Sequence, residues 1–270
     1  MSHIGISHSL NSDARVQALH TLYNNTPIEI RVRSHTEQVI DLSDYVPRDM
    51  KGAHISVIAE PGSSLHINAH EEALPAACFI EFDLKEYARV VYEAESRVRV
   101  PVLRLLKAVL GGQAQFNVGE HVEASERFYS RCDVALQGEG ASFHDELRYR
   151  ADADAFLDIE RAVRHTAKRS VSKLSTRGIA GGFAKVIWRG NVCMEKHAGN
   201  ASAFQRHDAI LASPTAYVDA SPILEIYAHD VSCKHGVSVQ RVQPEQIFYF
   251  GSRGVPEAAA RNMLWEGFLK

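Results

Sequence analysis

The sequence lacks the features that identify membrane, secreted or nucleic-acid-binding proteins. No apolar run approaches the length needed to cross a bilayer, and the first residues, MSHIGISHSLNSDARVQ, lack the two regions of a secretory signal. The net charge is −3, so there is no general excess of positive charge to attract nucleic acid. These absences predict a cytoplasmic protein.

Cysteine is scarce and is not arranged for a metal site within this chain. The four cysteines, Cys78, Cys132, Cys193 and Cys233, are far apart and form no CxxC pair. In the cytoplasm we expect reduced thiols, and the spacing disfavours a structural zinc site. The motifs GxxxxGK[ST], GxGxxG and GxSxG are also absent, so nothing local indicates a nucleotide site or a nucleophile-elbow hydrolase.

Strand-like alternation is abundant. Apolar residues recur at every second position in short segments separated by Gly, Pro, Asn or Ser. Examples are the segments 28–32, 54–58, 65–67, 79–84, 88–92, 114–118, 132–136, 143–147 and 184–188. The segment VLRLLKAVL, residues 102–110, fits a helix or an apolar strand equally well.

Many short strands without intervening helices exclude a doubly wound α/β fold and leave a sandwich, a barrel or a β-solenoid. Strand-and-turn units continue almost to residue 242, and turns built on small residues and glycine recur at 60–63, 137–140 and 197–200. Both features favour the solenoid. No strict hexapeptide or nonapeptide repeat accompanies them, so these patterns alone leave the three architectures open.

Helical patterns occupy the two ends of the chain. Residues 9–24 predict a short helix, which Pro27 follows. At the other end, Pro244 and Pro256 are placed to begin two helices. The second of these carries an apolar face formed by Ala260, Leu264 and Phe268, with Met263 beside it. The C-terminal helices would either cap the solenoid or bind a partner, and the pattern favours neither role.

The densest chemical pattern is Cys233-Lys234-His235. Residues two apart on a strand share a face, so the thiol and the imidazole would project side by side and suit iron or zinc. Two ligands are too few for a tight site, so a second element or chain would have to supply the others. The competing interpretation makes Cys233 a small core residue and His235 a surface residue, and spacing alone favours it.

Other polar clusters are weaker candidates. Asp152 and Asp154 form a carboxylate pair of the kind that solenoid carbohydrate-active enzymes use on a sheet face. The basic run around Arg161 and Arg164 indicates a solvated face, although it could bind an anion. His165 and His207 are predicted to be solvated or hydrogen-bonded rather than metal ligands.

Three long stretches of the C-terminal half carry a family resemblance. They are PILEIYAHDVSCKHGVSV (222–239), EQIFYFGSRGV (245–255) and EAAARNMLWEGF (257–268), supported upstream by residues 160–190 and 197–213. In these stretches the chain resembles the SufB/SufD family, the scaffold subunits of the SUF iron–sulfur cluster assembly machinery. The resemblance implies a right-handed parallel β-helix capped by helices. It divides the chain into an N-terminal segment 1–27, a β-helix core 28–242 and a C-terminal helical subdomain 243–270.

The resemblance also implies a non-enzymatic role with two partners. A SufC-like ABC-type ATPase, which would carry the ATPase activity, is expected to dock on the C-terminal helices. The residues expected to form that docking surface are Ile247, Phe248, Phe250, Arg253, Met263, Leu264 and Phe268. A SufB-like scaffold chain is expected to pair with this one, and a transient iron–sulfur cluster forms where the two subunits meet.

Cys233-Lys234-His235-Gly236 resembles the SufD pattern, because SufB-like chains carry glutamate after this histidine. The resemblance therefore makes His235, with Cys233 beside it, the expected cluster or iron ligand. The chain is short for the family, and the usual N-terminal helical domain does not fit into residues 1–27. A minimal system, in which the chain pairs with a second copy of itself, is therefore also expected. The alternatives are a carbohydrate-active enzyme using the acidic pair, and a solenoid interaction module without metal.

Overall fold

In the part of the chain that the structure describes, sixteen β-strands form two parallel sheets of eight strands each. A computed structural model describes residues 26–47, 50–70 and 74–270. The chain passes from one sheet to the other and back in each coil, which gives a β-solenoid of about eight coils with a helical C-terminal end. The predicted fold class is confirmed. The helix predicted for residues 9–24 lies outside the described residues, and the three-part division of the chain stays a prediction.

The odd-numbered strands form one sheet, called the odd sheet, and the even-numbered strands form the even sheet. The odd sheet contains β1 Ile28–Val32, β3 Gly52–Ala59, β5 Ala77–Leu84, β7 Val102–Leu110, β9 Arg127–Leu136, β11 Phe156–His165, β13 Lys185–Met194 and β15 Tyr217–Ile226. The even sheet contains β2 Glu37–Asp41, β4 Ser64–Ala69, β6 Arg89–Val98, β8 Gln115–Ala124, β10 Ser142–Ala151, β12 Val171–Ala180, β14 Ser202–Leu211 and β16 Ser232–Arg241. A short 3-10 helix, Leu42–Asp44, follows β2.

Alternation along each strand places every second side chain in the interior between the sheets, where two apolar clusters form the core. Coil length varies along the chain. Ile28 pairs with Ile55 in the next coil, 27 residues later, whereas Lys185 pairs with Tyr217, 32 residues later. Turns of unequal length therefore separate strands that stack in register, which is why no strict repeat is visible in the sequence.

The ambiguous segment 102–110 is strand β7. Its inward residues Leu106 and Leu110 are buried in the core, and its outward residues Leu103 and Leu105 are half-buried. Apolar side chains on both faces hide the period of two, which is the physical reason that the pattern also fitted a helix.

Two α-helices follow the last strand: α1 Pro244–Ser252 and α2 Glu257–Leu269. Helix α2 packs against α1 and against β12 of the even sheet. Ile179 and Ile210 occupy outward positions on this sheet yet are buried, and Ala260 of α2 is fully buried. The Arg150 guanidinium lies 5.4 Å from the ring centre of Trp265. Helix α2 thus covers the outer face of the even sheet near the C-terminal end. No helix of the described ranges is long and apolar enough to span a membrane.

The last coil, formed by β15 and β16, is hydrogen-bonded to the solenoid on one edge only within the described residues. Many of its side chains stay exposed, including the apolar residues Ile223, Ile226, Val237 and Val239, and none is fully buried. Pro222 stands in the middle of β15 without removing a sheet hydrogen bond. The N–H groups of Tyr217 and Tyr227 bond to β13, so alternation turns the Pro222 nitrogen to the open edge.

Candidate functional site

Cys233 and His235 lie in β16 of the last coil. They occupy successive positions of the face that looks into the solenoid. Cys233 is half-buried and packs against the core, whereas His235 is exposed because no further coil of the described chain covers it. The structure therefore places the two residues on one face, as their spacing indicates. Their role as ligands stays a prediction.

The Cys233 thiol is not activated by its own surroundings. Burial raises its pKa, and a hydrogen bond with the backbone at Ala203 offsets part of that effect. Since a metal binds the thiolate, metal binding here would have to displace the thiol proton, and affinity would rise with pH.

Two polar residues of β14 lie one coil below β16. Gln205 is in register with His235, and His207 is in register with Val237. Both side chains are fully buried. The Gln205 amide Nε2 donates to the Ile223 carbonyl of β15 at 3.1 Å, so this side chain spans the interior between the sheets. The sequence interpretation placed His207 among solvated or hydrogen-bonded histidines. The structure shows that it is hydrogen-bonded and buried.

The His207 imidazole belongs to a stacked aromatic cluster. Its Nε2 lies 3.2 Å from the Tyr149 hydroxyl, and its ring stacks on Trp188 with centroids 5.1 Å apart. The Trp188 indole donates to the Thr176 hydroxyl at 3.1 Å. Burial lowers the pKa of His207 to about 4, so this imidazole is neutral at physiological pH.

A charged cluster lies deeper in the core. Arg161 of β11 is fully buried, donates to Asp145 at 3.1 Å and to the Ser130 hydroxyl at 2.9 Å, and forms an ion pair with Glu120. The expectation of a solvated basic face is therefore wrong for Arg161. Burial raises the pKa of Asp145 to about 6, and the negative charge of Glu120 adds to this effect, while the Arg161 guanidinium opposes it. His165, also buried, hydrogen-bonds with the hydroxyls of Ser170 and Ser172 at 2.8 Å each.

The carboxylate pair that motivated the carbohydrate-enzyme alternative does not lie on a sheet face. Asp152 and Asp154 follow β10 in the turn that leads to β11. Asp152 accepts a hydrogen bond from Arg150 at 2.9 Å, and Asp154 is exposed. Asp152 already forms an ion pair with Arg150, and Asp154 lies in an exposed turn. The two acids are therefore poorly suited to general acid and base catalysis.

Among the residues that the structure describes, no three His, Cys, Asp or Glu side chains come together to hold a metal ion. Cys233 and His235 supply one sulfur and one nitrogen donor, a combination that suits iron. Iron or a cluster bound there would be cargo under assembly, and its other ligands would have to come from outside the described chain.

The residues expected to dock an ATPase divide into two groups. Phe248 and Met263 are 79% and 54% exposed, and Arg253 is exposed with its guanidinium 5.4 Å from the ring centre of Tyr249. The others are half-buried and help to pack the helices: Ile247, Phe250, Leu264 and Phe268. A cleft of about 460 Å³ opens beside Phe248 and is lined by Ile247, Gly251, Ser252, Val255 and Glu257.

The chain belongs to the SufB/SufD family of iron–sulfur cluster assembly proteins. The family model described as "SUF system FeS cluster assembly, SufBD core domain" matches residues 45–268. The Escherichia coli protein "Iron-sulfur cluster assembly protein SufD" is 37% identical over 84 residues, which cover 31% of this chain. The Bacillus subtilis protein of the same name is 36% identical over 105 residues, or 39% of this chain. A Galdieria sulphuraria protein, "Iron-sulfur cluster assembly SufBD family protein ycf24", is 28% identical over 106 residues, also 39% of this chain.

The matched stretches cover only part of those relatives: 20% of the Escherichia coli protein, 24% of the Bacillus subtilis protein and 48% of the Galdieria protein. Membership of the family supports a role as a scaffold in iron–sulfur cluster assembly, as the sequence resemblance predicts.

Proposed function

We propose that this chain is a non-catalytic scaffold that pairs with a second scaffold chain through its last coil and there contributes ligands to a nascent iron–sulfur cluster. The observation that carries the proposal is the open edge of β16, where His235 is exposed beside Cys233 on a strand that has one partner strand among the described residues. The second chain is SufB-like or a second copy of this one.

The open edge suits addition of a strand. The Ser232 N–H bonds to β14, so alternation turns the backbone N–H and C=O groups of Cys233, His235, Val237 and Val239 to the open side. Ten-residue edges with unpaired backbone groups and exposed valines are rare on isolated proteins because they invite pairing. A strand added there would bring the partner's side chains next to His235.

Replacing His235 tests the proposed ligand. In the assembled scaffold–ATPase complex we expect His235→Ala to lower the yield of cluster by about tenfold or more. Loss of a ligand should cost at least as much as loss of an outer-shell partner. The measurement is cluster absorbance and iron content after expression of the complex. The matched control is His229→Ala, an exposed histidine in the turn before β16. Equal yields for the wild type and His235→Ala would remove His235 from the ligand set.

We also propose that a SufC-like ABC-type ATPase docks on the C-terminal helices and carries the ATPase activity of the complex. Support comes from the division of exposure between the two helices. No residue of α1 is buried. Helix α2 buries Ala260 and so holds the two helices against the even sheet. Phe248, Met263 and Arg253 then form the surface that a partner would cover. An apolar pair flanked by arginine is typical of an interface anchor.

Replacing Phe248 tests the docking surface. We expect Phe248→Asp to weaken capture of the SufC-like ATPase at least tenfold, because a central aromatic anchor commonly contributes about 2 kcal/mol or more. Capture is measured by pull-down and by calorimetry with the full chain. Phe183→Asp is the control, since Phe183 is 64% exposed in the turn between β12 and β13. Equal losses in both variants would show a general effect of charge and not a docking site.

A further inference from the structure

The interior below His235 is polar where a solenoid core is ordinarily apolar. Gln205 and His207 are fully buried on adjacent inward positions of β14, and two glycines give them room. A Cβ atom at Gly178 would overlap the ring of Tyr149, which hydrogen-bonds His207, and one at Gly190 would overlap the Gln205 Oε1 atom. The backbone is therefore shaped around this polar group.

Each of these two side chains has one polar atom without a hydrogen-bond partner among the described residues. Within the described ranges, the Oε1 atom of Gln205 and the Nδ1 atom of His207 are buried and have no hydrogen-bond partner. A buried polar atom left without a hydrogen bond destabilises the fold, so two of them on neighbouring positions need a reason. The Tyr149 hydroxyl can donate to Nε2 of His207, which leaves the ring proton on Nδ1 as a donor, and the amide oxygen of Gln205 can accept.

Register connects these atoms with the candidate ligand. His235 is the direct neighbour of Gln205 across the β14–β16 ladder, where adjacent strands lie about 4.8 Å apart, and His207 is the next inward residue. A metal-ligating histidine usually bonds its second ring nitrogen to a partner that fixes its tautomer and orientation. An ordered water makes about three hydrogen bonds, and register brings three polar side chains, Gln205, His207 and His235, to this end of the interior.

We infer that Gln205 and His207 are positioning residues, which hold one ordered water against the His235 imidazole and so fix its tautomer and orientation for the cargo. The inference rests on the proposed function, because it concerns the same histidine. It gives the two buried side chains a role that burial alone does not explain.

The test uses the full chain without metal, labelled with ¹⁵N in histidine. Magnetic resonance of the ring nitrogens reports the tautomer of each histidine. In the wild type we expect one dominant tautomer for His235. In Gln205→Met, which keeps the volume and removes the oxygen and the nitrogen of the side-chain amide, we expect a mixture close to that of a free imidazole. The control is His165→Gln, which perturbs an equally buried histidine of β11 that has its own serine partners. We expect this control to destabilise the fold and to leave the His235 signals unchanged.

Cobalt(II) alone then serves as a probe of affinity. We expect Gln205→Met to bind it about tenfold more weakly than the wild type, at the low end of the effect of removing an outer-shell partner. Unchanged tautomer and unchanged affinity in Gln205→Met would overturn the inference. If instead His235→Ala binds cobalt as well as the wild type, the ligand role in the proposed function fails. The tautomer measurement still decides the positioning role in that case.

Discussion

Replacing Arg161 with methionine is expected to lower the free energy of unfolding by about 3–5 kcal/mol, the cost of breaking a buried ion pair from one side. Arg161 is fully buried and bonds Asp145, Glu120 and Ser130. Methionine fits the volume but leaves two carboxyl groups in the core without their cation. Urea unfolding at neutral pH, followed by circular dichroism, measures the loss.

The control for this prediction is Arg206→Met. Arg206 pairs with Asp208 at 2.6 Å on the outer face of the even sheet, and half of its side chain is exposed. Exposed pairs contribute at most about 1 kcal/mol, so little stability should be lost. Adding Glu120→Gln and Asp145→Asn to Arg161→Met should restore part of the stability, since no buried charge then remains unpaired. Equal small losses for both arginine variants would mean that water reaches the cluster.

The alternation of side chains along a strand could have identified this cluster from the sequence, because odd- and even-numbered residues lie on opposite faces. In β11, the buried residues Leu157, Ile159 and Val163 are odd-numbered like Arg161, so the arginine lies on the inward face of the strand. The basic run around it suggested a solvated face because Arg164, on the opposite parity, is indeed exposed. The sequence interpretation considered the charges of the whole segment together and did not separate the inward from the outward residues of the strand.

The same alternation would not have identified Gln205 and His207 as inward residues. In β14 the outward residues Phe204 and Ile210 are as apolar as the inward Ala203, so neither face of the strand is evident. Ile210 is apolar because the even sheet is covered near α2, and that cover comes from a segment nearly fifty residues later. Local periodicity cannot indicate a face that a distant helix buries.

The helices and the candidate ligands show a similar limit. Their starts at Pro244 and just after Pro256 follow from local chemistry and are confirmed. Which of their faces meets the sheet depends on tertiary contacts. Likewise, the spacing of Cys233 and His235 predicted a shared face, but only the stacking order shows that their strand is the last of the described coils and that His235 is uncovered.

The second large effect concerns pH and Asp145. Its ordinary pKa of 3.8 is raised to about 6 in the folded chain by burial. Between these values the folded state holds a proton that the unfolded state has released, so Asp145 stabilises the fold as pH falls and destabilises it as pH rises. A shift of two units corresponds to about 3 kcal/mol.

His165 and His207 act in the opposite direction. Burial lowers the pKa of each to about 4 from an ordinary 6.5, so acid favours the unfolded state, in which they are protonated. In the pH dependence of the wild type's stability, the two histidines therefore mask the effect of Asp145. The difference in stability between the wild type and a variant without this carboxyl group isolates that effect. Asp145→Asn removes the titrating group and leaves both histidines in place.

We expect the stability of the wild type minus that of Asp145→Asn to increase by about 2.5 kcal/mol as pH falls from 7 to 4. Urea unfolding of both proteins at half-unit steps of pH provides the difference. Asp41→Asn is the matched control, because hydrogen bonds from Ser43 lower the pKa of this carboxylate, so its difference from the wild type should not rise on acidification. A level difference for Asp145→Asn would mean that Arg161 keeps this carboxylate ionised throughout. The core would then keep two negative charges against one positive charge over the whole range from pH 7 to pH 4.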